Sequence, residues 1–198
     1  MTDKEYITGI INKDENTFRN FVHTFQKKVI HTCYSFVHNM QDAEDIAQEV
    51  FIEIYKSIKK FKSNSTLSTW LYRISVNKSL NYIRDNKKIR NNTFSYDNLG
   101  FNQRTITGYS VNSASDYFES EENKILKNIV FSVVDKLPEN QKTAFLLNKY
   151  EELSYKDIAE IMELSNSSVE SLIFRAKQNL KKELFHFQNK YNKTQEIT

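Results

Sequence analysis

Apolar side chains recur along this chain at three- and four-residue steps, the spacing of a helix with one buried face. Phe18, Phe21, Val22, Phe25, Val29 and Ile30 form the first such stripe, with Asp14 placed to cap the helix that carries it. The second stripe is the most regular: Ala43, Ile46, Ala47, Val50, Phe51, Ile54 and Ile58 predict a helix from residue 42 to about residue 60. A polar stretch over residues 62–66 separates it from a third helix, read through Leu67, Trp70, Leu71, Ile74, Leu80 and Ile83. Arg84, Lys87, Lys88 and Arg90 crowd the last turns of that helix, where its dipole favours cations.

From Asn91 to about Glu119 the periodicity is lost to Asn, Ser, Thr and Gly. A structureless stretch approaching about 30 residues fits poorly inside one compact domain. The expected organisation is a first domain over residues 1–91, a linker over 92–121, a second domain over 122–186 and a tail over 187–198. In the second domain Ile125, Ile129, Val130, Val133 and Val134 predict a helix that stops before Leu137-Pro138. Pro138 is expected in the first turn of the next helix, whose apolar face is Ala144, Phe145, Leu146 and Leu147. A helix over residues 154–162, a gap at Glu163-Leu-Ser165 and a long helix from about residue 167 to beyond 184 complete it.

Composition supports an all-α fold of two small helical domains. The 198 residues include 3 Gly and 1 Pro, and no Asn-Gly or Asp-Gly pair to turn a hairpin. No run approaches the ~20 apolar residues of a membrane span, and Met1-Thr-Asp-Lys-Glu-Tyr6 lacks the layout of a signal peptide. A cytoplasmic protein without membrane insertion is therefore expected. Cys33 is the one cysteine and reads as core filler. His23, His31, His38 and His186 lack nucleophile partners and metal-ligand spacing, so neither a cofactor, a metal nor an enzymatic activity is expected. The net charge of +3 is too small to identify a partner, but it is unevenly spread. Residues 1–91 hold 15 Lys/Arg against 10 Asp/Glu, residues 92–122 hold 1 against 5, and residues 123–198 hold 12 against 10. Two basic ends flank an acidic middle.

Three groups of residues offer candidate chemistry. The last two helices have the proportions of a helix-turn-helix, with Ile158, Ala159, Leu164, Val169 and Leu172 as its core and Leu164 plugging the turn. Ser167, Ser168, Glu170, Ser171, Phe174 and Arg175 would then be free to enter a major groove, while Arg175, Lys177, Lys181 and Lys182 suit either backbone phosphates or a solvated face. An ordinary αα-hairpin uses the same apolar spacing, so this pattern alone leaves both open. Asp42, Asp45 and Glu49 share one side of the second helix with Gln48. They suit either the dipole at a helix N-terminus or an acidic face for a basic protein partner. Phe61, Trp70, Tyr72 and Tyr82 stand among Lys59, Lys60, Lys62, Arg73, Lys78 and Arg84, an aromatic and cationic mixture suited to unpaired bases, although Trp70 is also a natural core residue.

Taken together, these residues resemble a known family. Asp42-Ala-Glu-Asp-Ile-Ala-Gln-Glu-Val-Phe51, Phe61 and Ser68-Thr-Trp-Leu-Tyr-Arg-Ile-Ser-Val-Asn77 are similar to region two of the extracytoplasmic-function (ECF) sigma factors of bacterial RNA polymerase. Leu137-Pro-Glu-Asn-Gln141, Leu153-Ser-Tyr-Lys-Asp-Ile-Ala-Glu-Ile-Met162 and Ser168-Val-Glu-Ser-Leu-Ile-Phe-Arg-Ala-Lys177 are similar to region four. The resemblance spans about residues 8–90 and 122–184. It implies a promoter-specificity subunit that binds core polymerase, recognises two promoter elements and helps to open the strands. By position, Asp45, Gln48 and Glu49 would dock on the largest polymerase subunit. Phe61, Lys62, Ser63, Asn64 and Ser65 would capture a flipped base of the minus-ten element, with Arg73, Asn77 and Lys78 on the same element and Trp70 supporting the loop. Ser167, Ser168, Ser171, Phe174 and Arg175 would face the minus-thirty-five element, with Lys177 and Lys181 on phosphates. Core polymerase and promoter DNA are the implied partners, and relatives often have an anti-sigma factor. The chain departs from the family at Glu163, where Gly is frequent, and at Glu170 and Leu172, near which Lys or Arg is common. The alternatives are a stand-alone helix-turn-helix regulator and a protein-binding helical adaptor.

Overall fold

A computed structural model describes residues 1–61, 65–93 and 129–195, and the chain divides into two compact units, Met1–Ser110 and Val111–Thr198. The described residues are helical, joined by short turns. The expected linker lies outside them except at its start, because the third expected helix continues through Thr93. The tail continues the last helix through Gln195.

The N-terminal unit contains α1 (Asp3–Ile11), α2 (Glu15–Val37), α3 (Met40–Ser57), a 3-10 turn (Ile58–Lys60) and α4 (Leu67–Thr93). Thr2 and Glu5 form a capping box on α1, each side chain bonding the other residue's backbone N–H at 3.3 and 2.7 Å. Asp14 caps α2 as expected, accepting from the N–H of Asn16 at 3.1 Å. Its carboxyl is held below its usual range, chiefly by the Thr17 hydroxyl. Asn39, rather than a residue nearer Asp42, caps α3, so that helix begins at Met40. At its other end the α-helix stops at Ser57 and tightens into the 3-10 turn.

Helices α2, α3 and α4 pack against one another around Phe21, Val29, Cys33, Ala43, Ile46, Ala47, Val50, Ile54, Ile58, Leu67 and Leu71. Cys33 is fully buried, as its core reading requires. Thr32, Ser35, Ser75 and Ser79 are also buried, and each hydroxyl donates to a carbonyl of its own helix, so none of these four is stranded. Helix α1 crosses the start of α2 closely. A Cβ added at Gly9 would sit 2.5 Å from the Thr17 side chain, whose hydroxyl is fixed on Asp14. Gly9→Ala should therefore cost about 1–3 kcal/mol through overpacking. Thermal denaturation checks this, and an unchanged midpoint would show that α1 shifts freely.

The C-terminal unit contains a helical segment at 129–134, α5 (Glu139–Lys149), α6 (Tyr155–Met162) and α7 (Asn166–Gln195). Pro138 stands one position outside α5 as its cap, with ψ of 142°, instead of within the first turn. Its carbonyl accepts from the N–H of Lys142 at 2.9 Å. The Lys142 ammonium meets Asp135 at 2.5 Å, and Asn179 donates to Gln141 at 2.8 Å, tying α5 to the preceding turn and to α7. Phe131, Val133, Val134, Leu137, Ala144, Leu146, Leu147, Ile158, Ala159, Ile161, Val169, Ile173 and Ala176 form the core, while Phe145 is half-buried.

The helix-turn-helix core differs from expectation at two leucines. Leu164 is 39% exposed, and Leu172 is half-buried. The cause is the short turn. Glu163 adopts φ 56° and ψ 42°, and the N–H of Leu164 reaches back to the carbonyl of Ala159 at 2.9 Å, closing a tight C-cap with Leu164 outside it. Helix α7 then starts at Asn166, and its buried stripe runs through Val169, Ile173 and Ala176, leaving Leu172 to one side. A left-handed conformation costs a non-glycine residue about 1–2 kcal/mol. The extra freedom of glycine in the unfolded chain returns about 0.4–1 kcal/mol of that. Glu163→Gly should thus stabilise the unit by about 0.5–1 kcal/mol, seen as a higher melting temperature. A lower one would mean that contacts of the Glu163 side chain outweigh backbone strain.

Candidate functional site

Helix α3 buries Ala43, Ile46, Ala47, Val50 and Ile54, which turns Asp45, Gln48 and Glu49 to solvent on the opposite side. Ile52 and Tyr55 continue this exposed face at the following turns and are 51% and 42% exposed. Sequence reasoning passed over both. Their signal was that they are apolar residues standing off the regular stripe. Phe18 of α2 packs against Tyr55 with ring centroids 5.0 Å apart, so the acidic ridge runs into an apolar edge.

Asp42 belongs elsewhere. It is half-buried, and burial together with the Asp42 carboxylate pushes the Tyr82 phenol above its usual range. Asp42 thus engages its own unit, while Asp45 and Glu49 face outward. Glu49 accepts from Lys78 of α4 at 3.2 Å, but its side chain remains 64% exposed, so this pair is worth no more than about 1 kcal/mol.

Helix α4 and the turn before it place Phe61 against Trp70, ring centroids 5.2 Å apart at 48°. Both rings are half-buried, and Trp70 also leans on the core. Arg73 and Asn77 follow Trp70 at helical spacing. Asn77 is exposed, and Arg73 is half-buried with its Nε shielded from solvent. Lys78 is set apart from them by its bond to Glu49. Ser65 is half-buried, while Lys62, Ser63 and Asn64 lie outside the described residues. The exposed Lys59 and Lys60 of the 3-10 turn keep the neighbourhood positive.

On α7 the buried stripe leaves the other side to Ser167, Ser171, Phe174 and Lys181, with Glu170 and Lys177 on one flank and Ser168 and Arg175 on the other. Ser165 organises its start: the Ser165 Oγ accepts from the N–H of Ser168 at 3.2 Å and lies 3.1 and 2.8 Å from the Ser167 and Ser168 hydroxyls. Phe174 is 62% exposed, and the Nε of Arg175 bonds back to the carbonyl of Ser171 at 3.2 Å. Tyr155, at the N-terminus of α6, lines the same surface depression as Ser171 and Phe174 and was not foreseen. Among the described residues there is no cluster with metal-ligand chemistry, and no helix long and apolar enough to cross a membrane.

Residues 21–89 match the Sigma-70 region 2 model, and residues 128–180 match the Sigma-70 region 4 model. The ECF RNA polymerase sigma-E factor of Haemophilus influenzae is 34% identical over 188 residues, covering 93% of this chain and 96% of that protein. The chain belongs to the ECF sigma factor family. Two solved structures share its fold. CnrH, in complex with the cytosolic domain of CnrY, has a TM-score of 0.66 at 19% identity over 93% of this chain and 97% of its own. The sigma factor RpoE of Bartonella quintana, in complex with the anti-sigma factor NepR, has a TM-score of 0.61 at 18% identity over 84% and 96%. This ECF sigma factor directs transcription initiation, and sigma factors as a class are non-catalytic transcription factors. The acidic ridge and the Phe61–Trp70 face fall within region 2, and the exposed serines of α7 within region 4. Helix α1 precedes both matched segments.

Proposed function

We propose that this ECF sigma factor divides its work among three surfaces. The Asp45, Gln48 and Glu49 ridge of α3, extended by Ile52 and Tyr55, docks on a basic surface of core RNA polymerase. Phe61, Trp70, Arg73 and Asn77 receive the unpaired minus-ten strand, with Lys62, Ser63, Asn64 and Ser65 between them and Lys78 on neighbouring phosphates. Ser167, Ser168, Ser171, Phe174 and Arg175 read the minus-thirty-five element, and Lys177 and Lys181 hold its backbone.

The observation that carries this reading is the outward acidic ridge on a unit that is otherwise net basic. Phosphates would repel those carboxylates, whereas a cationic protein surface would attract them. The adjacent helix then offers aromatic faces beside cations, the combination that rewards an extruded base and offsets part of the few kcal/mol spent in unstacking it. Recognition and strand opening become one event. Each DNA contact is weak by itself, since a net charge of +3 neutralises few phosphates, and polymerase multiplies them by holding both units at once.

The protein acts where polymerase acts, in the cytoplasm, and performs no chemistry of its own. An anti-sigma factor, such as the one that accompanies the Bartonella quintana relative, is the expected kind of inhibitor. The test is reconstitution: the chain with purified core polymerase and genomic DNA of its source should produce start sites preceded by two shared elements at constant spacing. Start sites no different from those of core enzyme alone would overturn the reading.

A further inference from the structure

Helix α4 bears the face assigned above to the minus-ten strand, so whatever fixes its first turn fixes that face. The first N–H groups of a helix have no partner within it and must find one elsewhere. Thr66, just before α4, accepts from the N–H of Thr69 at 3.1 Å. A capping side chain at that position reaches the second or third N–H and leaves the first unserved. The first belongs to Leu67, and it donates to the Asp3 carboxylate at 2.8 Å, across 64 residues of sequence.

Asp3 is the opening residue of α1, whose own N-terminus is already served by Thr2. Its carboxylate therefore acts on another helix, where a negative charge also meets the positive end of the α4 dipole. Helix α1 has a second hold nearby, because it packs on the 3-10 turn Ile58–Lys60 that leads into Phe61. Tyr6 and Ile10 of α1 share one core cluster with Ile58 and Leu67. One short helix, outside the residues matched to region 2, thus grips the chain just before Phe61 and again at Leu67, between Phe61 and Trp70.

We propose that Asp3 is a positioning residue for promoter opening: by capping α4 from α1 it sets the helix start that orients Trp70, Arg73 and Asn77 toward unpaired DNA. The proposal rests on the minus-ten assignment of that face.

The experiment uses the full chain assembled with core polymerase on a duplex promoter taken from the mapped start sites. Permanganate reactivity of thymines reads opening, anisotropy reads core affinity, and circular dichroism verifies that each variant is folded at the assay temperature. Asp3→Ala should slow opening by about tenfold, the scale of a lost charge-assisted hydrogen bond, with core affinity unchanged. Asp3→Asn, which keeps an acceptor, should restore most of the rate. Wild-type opening by Asp3→Ala, a fall in opening matched by a fall in core affinity, or no rescue by Asp3→Asn would each overturn the proposal. Phe61→Ala separates the two levels. If it impairs opening and Asp3→Ala does not, only the role of Asp3 is wrong; if neither does, the minus-ten assignment falls as well.

Discussion

Joint replacement of Asp45 and Glu49 by lysine should reduce affinity for core polymerase by about 100-fold or more, with the helical signal and melting temperature nearly unchanged. Both side chains are exposed and carry no core contact, so substitution there should change stability by no more than about 1 kcal/mol. Glu49 does lose its bond to Lys78, but that pair is solvent-screened and weak. Against a basic partner the consequence is different in scale. Setting like charges face to face at an interface costs several kcal/mol, and each 1.4 kcal/mol is about tenfold in affinity. Anisotropy titration of labelled chain with core enzyme measures the loss. Affinity equal to that of the native chain would show that the ridge is only a solvated face.

Phe61→Ala should leave holoenzyme assembly intact and cut strand opening by roughly fivefold to hundredfold. The Phe61 ring is half-buried beside Trp70, at the end of the 3-10 turn, so its loss disturbs the core less than loss of Trp70 would. One base stacked on an aromatic side chain contributes about 1–3 kcal/mol, or roughly a fivefold to hundredfold effect on the open state. Permanganate footprinting on duplex promoter, beside a core-binding measurement, separates opening from assembly. Native opening by the variant would place the unpaired strand elsewhere.

The helices were legible because burial on one side writes itself into the sequence at three- and four-residue steps. The stripe from Ala43 to Ile58 and the cap at Asp14 are where that signal is densest, and both appear as read. The misreadings lie where backbone geometry breaks the step. A helix-turn-helix pattern cannot show that Glu163 turns left-handed and that α7 starts one residue earlier than expected, so Leu164 and Leu172 were assigned to a core that uses Ile173 and Ala176. Ile52 and Tyr55 were hidden by the opposite habit, that of reading only the stripe. The cap from Asp3 to Leu67 has no sequence signature at all, because the two residues stand 64 positions apart and meet only in the folded unit.

Residue types along α7 did not distinguish a recognition helix from an ordinary hairpin, and its fold does not either. The ordered pairing of region 2 with region 4 in one chain is what identifies the family. On the proposed reading, a protein with so little net charge chooses a promoter because the larger enzyme supplies the proximity that its own electrostatics lack.

The decisive measurement compares binding of one mapped promoter fragment by the free chain and by the chain saturated with core polymerase, at physiological salt. The expected result is selective, opened complexes with polymerase and little or no preference over random DNA without it. Equal affinity and equal selectivity in both cases would contradict the account.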